Sequence, residues 1–172
     1  MTTPKILHIA PTDDVEEGLK HIRKKYPKAK VYGVGTSSGG NLALRYAGVT
    51  GANCKFDAIC AIATPFDVNI CSSNLVNSKN PITKASHNFL TANCIRLLSN
   101  NVESLKPHEK QLGLNIKAGL KARSTKEFDE AITLPIHGFK TAREYYDSIS
   151  CVHVLHNIQV PVFCLSCKDD PI

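Results

Sequence analysis

The stretch VYGVGTSSGGNLALRY, residues 31–46, constrains the chain more than any other. A short apolar run enters a turn of glycine and serine, and a helix-capable segment leaves it. Strand, tight turn and helix in that order belong to a parallel α/β sheet, where the chain must cross over to reach its neighbouring strand. Two readings of the turn compete. Gly33, Gly35 and Gly39 make a G-x-G-x-x-x-G string suited to cradling a phosphate. Gly35, Ser37 and Gly39 make G-x-S-x-G, in which a serine is lifted above the sheet.

A dinucleotide site needs an acidic residue about 20 residues further on, at the end of the next strand. Asp57 starts that strand instead, and Asp67 falls after its end. Gly-Gly-Asn also stands where a phosphate-binding loop would have Gly-Lys-Ser/Thr. The serine reading has its whole context: strand before, small residues around, helix after. Ser37 is the candidate nucleophile, and the backbone N–H of Ser38 is placed to form half of an oxyanion hole. The helix N-terminus beneath it favours developing negative charge.

A serine hydroxyl is weakly nucleophilic alone, so it needs a base and an acid that orients the base. On a sheet of this kind the chain order is serine, acid, histidine. PVFCLSCKDDPI supplies the acid: Asp170, just before Pro171, with Asp169 as the alternative. The base would follow, and the sequence stops at Ile172. His8, His21, His87, His108, His137, His153 and His156 all precede the acid and read as surface or structural residues, so the base histidine is missing.

Elsewhere, Val15, Leu19, Ile22 and Tyr26 recur at helical spacing, with Asp13 as a candidate cap and Pro27 closing the segment. Residues 38–47 read as helix, and 29–34, 56–63 and 160–166 as strands. Residues 84–98 and 140–150 are helix-capable, whereas 71–81 is polar and asparagine-rich. The fold class is α/β, a mostly parallel sheet incomplete at both ends. Residues 1–172 form a partial domain, and 65–150 form a helical cap insertion within it. Formal net charge is +6, but the lysines are dispersed and aromatics are 6%, which argues against nucleic acid. No apolar run approaches the roughly 18 residues of a membrane helix. MTTPKILHIAPTDD lacks the pattern of a signal peptide. Seven cysteines at irregular spacing fit reduced, mostly buried thiols in an intracellular protein, and Cys164 and Cys167 read as core residues rather than metal ligands.

The sequence resembles the α/β-hydrolase subgroup of embryogenesis-associated proteins, yeast ethyl ester synthase/esterases and abhydrolase-domain lipases and phospholipases. TDDVEEGLKHIRKKYPKAKVYGVGTSSGGNLALRYAG, AIATPFDV, FDEAITLPIHGFKTAREYYDSIS and IQVPVFCLSCKDDPI carry the likeness. Ser38 departs from it, since the family has a bulky residue there. Nothing corresponds to the family's early strands, its last strand and histidine, or its membrane-anchoring segment. The resemblance implies a serine hydrolase of carboxylic esters of lipids, working through an acyl-enzyme with no metal or organic cofactor. Its partners would be a lipid or small ester and, peripherally, a membrane. It would be cytoplasmic or membrane-associated in a full-length form. The 172-residue chain alone is expected to be inactive. The alternative is a catalytically incomplete fragment or isoform with a non-enzymatic binding role, and nucleotide binding at the glycine turn is a third class.

Overall fold

The structure, a computed structural model, describes residues 11–170. His8, most of the N-terminal stretch read above, and Pro171 lie outside them. The chain divides into two compact bodies, one of residues 11–68 with Ile149–Asp170, the other Asn69–Ser148.

The first body is built on three parallel strands, β1 (Tyr32–Thr36), β2 (Ala58–Ile62) and β3 (Val162–Leu165), in the order β1-β2-β3. Thr36, Ile62 and Leu165 stand level across the sheet. Helix α1 (Thr12–Lys25) precedes β1, and α2 (Ser38–Thr50) follows it. One sheet face presents Ile59 and Ala61 to Ala43, Leu44 and Ala47 of α2 and to Cys151, forming the core. Tyr46 meets Phe56 edge-on at 5.6 Å. The parallel α/β architecture expected from the turn is what forms.

β1 begins three residues later than the 29–34 reading. The cause is Asp57, whose carboxylate accepts hydrogen bonds from Val31 N–H (2.8 Å), Arg23 (2.7 Å) and Lys30 (2.9 Å). These bonds, led by the backbone one, hold its carboxyl well below the ordinary carboxylate range. Val31 thus meets Asp57 twice, its carbonyl accepting from the Asp57 backbone N–H at 2.7 Å and its N–H donating to the carboxylate, before the regular ladder begins. Asp13 does not cap α1 either: Pro11 is at the N-cap and Asp13 lies exposed in the first turn, where its charge suits the helix dipole.

The thiols are not mostly buried. Of seven thiols only Cys151 is fully buried, and Cys164 and Cys167 are exposed. Alternation places Cys164 on the α2 side of β3, but among the described residues β3 pairs only with β2 and every residue in it is exposed.

The second body is helical. α3 (Val68–Asn77), whose first residue lies in the other body, leads to α4 (Pro81–Ser99), capped by the Asn80 side chain accepting from Ile82 N–H. Short helical turns follow, with a π-helical turn at Asp129–Thr133, then a helix at Ala142–Ile149 whose last residue returns to the first body. Leu98, Leu105, Ile116, Phe128 and Ile132 form its core. The polar stretch 71–81 is largely helix. Among the described residues no helix is long and apolar enough to cross a membrane.

Candidate active site

In a parallel sheet every strand ends on the same side, and sites gather there. Ser37 follows β1, Ala63 follows β2, and Asp169 and Asp170 follow β3. β1 and β3 both flank β2, so their ends are two strand spacings apart, roughly 9.5 Å.

Ser37 has φ 50°, ψ −125°, a conformation that an L-residue adopts only when its surroundings enforce it. The surroundings do so from both sides. Ser37 N–H donates to the Ile62 carbonyl at 2.9 Å, extending the β1–β2 ladder by one bond. Its own carbonyl accepts from Gly40 N–H (3.0 Å) and Asn41 N–H (3.2 Å), starting α2. The glycines make room: a Cβ on Gly35 would overlap the Gly39 carbonyl, and one on Gly40 would overlap the Thr64 hydroxyl. Ser37 and Ser38 are exposed. Ser38 opens α2, so its N–H has no carbonyl one turn back within the helix. Ala63, at φ 48°, is a second strained position at the same sheet end, its N–H donating to the Leu165 carbonyl at 2.8 Å.

Asp169 and Asp170 are exposed in the turn after β3, where Asp170 N–H donates to the Cys167 carbonyl at 3.2 Å. The sheet brings Ser37 and this turn to one edge, but it does not join them. The Ser37 hydroxyl has no hydrogen-bond partner among the described residues, histidines included. His87 is buried in the helical body, its Nε2 accepting from Thr125 N–H at 3.4 Å. His21, His153 and His156 are exposed, and His108 and His137 half-buried.

Two residues around this edge were not singled out from sequence. Asn41 is fully buried, and its amide donates to the Ile149 carbonyl (2.8 Å) while accepting from Cys151 N–H (2.9 Å). It ties the second turn of α2 to the returning chain. The signal was a polar residue amid the apolar face of a helix, four positions after Ser37. Thr64 is buried against Gly40, and its hydroxyl has no partner among the described residues. That leaves it packing, not hydrogen bonding, against the start of α2.

The chain is 28% identical to a monoacylglycerol lipase of Saccharomyces cerevisiae over 172 residues, covering 100% of this chain and 38% of that protein. It is 28% identical to phospholipase ABHD3 of Mus musculus, covering 99% of this chain and 40% of that one. It is 26% identical to embryogenesis-associated protein EMB8 of Picea glauca, with coverage of 100% and 37%. These distant partial matches and the parallel α/β fold agree with each other at the level of the α/β-hydrolase superfamily. The likeness is distant and reaches no finer than that α/β-hydrolase level. The chain spans about two fifths of the length of these curated relatives. No family profile matches it, and no solved structure matches it significantly.

Proposed function

We propose that this polypeptide supplies the nucleophile and acid of a serine hydrolase acting on carboxylic esters of lipids, of acylglycerol lipase, phospholipase or esterase type. The strained Ser37, pinned between the last β1–β2 bond and the first turn of α2, carries the reading. Strain of this kind costs of order 1–3 kcal/mol and persists where a position is over-determined. The residue held there is exposed.

Ser37 Oγ would attack the ester carbonyl, a histidine would take its proton, and the alcohol would leave with that proton. Water, deprotonated by the same histidine, would then release the acid from the acyl-enzyme. Ser38 N–H would face the oxyanion. Asp170, or Asp169, would fix the imidazole tautomer and offset its charge. Residues 65–150 would act as a cap. The lipase and phospholipase names of the relatives support a lipid ester substrate.

A fluorophosphonate probe with peptide mapping tests the assignment on the whole protein. The adduct is expected on Ser37, absent from Ser37→Ala, and Asp170→Asn should slow ester turnover far more than Asp169→Asn. Labelling that survives Ser37→Ala removes Ser37 from the chemistry. The unpartnered Ser37 hydroxyl favours a second reading for the 172-residue chain itself, a catalytically incomplete form with a binding role. That reading expects no Ser37-dependent hydrolysis of a short-chain chromogenic ester.

A further inference from the structure

A cavity of about 770 Å³ opens within the helical body, beside α3. Its size falls in the roughly 300–1,000 Å³ range of small-molecule sites. The α3 residues lining it are Asn69, Ser72, Ser73, Val76 and Asn77, spaced as one helical face. Four of the five carry hydrogen-bonding side chains, while Ile70 on another face is 60% exposed. The same helix buries Leu75, so its apolar side packs inward and the polar stripe is left to line the cavity.

Leu134, Phe139 and Ala142 give the cavity an apolar part of its lining. Lys126, Lys140 and Arg143 also line the cavity, against the single carboxylate of Glu130. Their existing pairings are weak. Lys126 and Glu130 are 3.9 Å apart and both half-exposed, and Arg143 reaches Asp147 at 3.9 Å with its side chain 88% exposed. The Glu144 carboxylate accepts from Lys140 N–H at 3.1 Å, and Asp147 accepts from Asn69 at 2.6 Å, so both acids near the lining are engaged.

Tyr146 forms a further part of the wall. Its phenol donates to Asp129 Oδ2 at 2.9 Å and bonds Ser72, while Thr133 bonds the same carboxyl. Asp129 sits in the π-helical turn, a distortion often found at functional sites. The network fixes Tyr146 against α3.

We propose that this cavity binds an organic anion with an apolar body: a carboxylate or phosphate head held by Lys126, Lys140 and Arg143, and an alkyl chain lying against Leu134 and Phe139. The site stands apart from the Ser37 reading, because every residue used belongs to the helical body.

The test uses the whole protein carrying Ser37→Ala. Decanoate and decyl phosphate are titrated below their micellar concentrations by calorimetry, with decanol and decyltrimethylammonium as controls. Binding of either anion, with the controls much weaker, is expected; which anion binds identifies the head group. Lys140→Glu with Arg143→Glu should weaken binding at least about tenfold. Both residues are surface-exposed, so the variant should melt as the parent does. A diazirine-bearing decanoate should label peptides 69–77 or 134–146. No binding, equal binding of decanol, indifference to the charge reversal, or labelling confined to other peptides would each overturn the proposal.

Discussion

Ser37 occupies backbone space that glycine enters freely, so its side chain is kept there at a cost. Ser37→Gly should therefore raise stability in urea by about 1 kcal/mol while abolishing probe labelling. A loss of stability would show that the hydroxyl, not the backbone, holds the turn. Asp129 gives a pH-dependent signature. Burial raises its carboxyl to about 6 from an ordinary 3.8, against the opposing hydrogen bonds of Thr133 and Tyr146. The folded chain thus binds the proton more tightly than the unfolded chain does. Stability falls as pH rises from about 4 to about 6, by up to about 3 kcal/mol. Asp129→Asn keeps an acceptor for Tyr146 and should flatten that slope in urea midpoints measured across the window. Asp57 acts in the opposite sense and at lower pH: its depressed carboxyl stabilises the fold above its ordinary value, and that contribution is lost on acidification. A tight turn at Ser37 was legible in the sequence because small residues flank it on both sides. Asp129 was not, since nothing in FDEAITLP says which acidic residue a turn will bury.

At the scale of elements, β1, β2, α1 and α2 were legible because their apolar periodicity agrees with their turns. α3 was not, since its polar stripe lines a cavity and so breaks the pattern by which helices are recognised. The bond from α2 to the returning chain was equally hidden, because Asn41 and Cys151 are 110 positions apart. Asn41→Ala would leave the Ile149 carbonyl and Cys151 N–H without their buried partner. We expect a loss of about 2–4 kcal/mol, read from the urea midpoint, with Asn41→Asp intermediate or worse because it cannot donate to Ile149. A loss below about 1 kcal/mol would mean that water replaces the amide.

For the molecule as a whole, the outer face of the sheet sets its behaviour in solution. Tyr32 is 66% exposed, Val34 72% and Phe163 61%, and the register aligns Val34, Cys60 and Phe163 across one face. Parallel sheets are normally covered on both faces. The 172-residue chain on its own should bind a hydrophobic dye and aggregate. Val34→Lys with Phe163→Lys should suppress both without altering far-ultraviolet dichroism, and a monomeric, dye-silent parent chain would contradict this.

The two crossings between the bodies lie side by side in the sheet-bearing one: Val68 N–H donates to Ser150 Oγ at 2.8 Å, and Val152 N–H to the Phe66 carbonyl at 3.1 Å. The chain that leaves at Val68 therefore re-enters next to its exit, and the segment between them is, for the sheet, one closed loop. The entropy of closing a loop grows only with the logarithm of its length, about 0.6 kcal/mol for each doubling. Insertions, deletions or wholesale exchange of residues 69–148 during evolution would thus tax the sheet very little, and the helical body can diversify while the edge that carries Ser37 stays fixed.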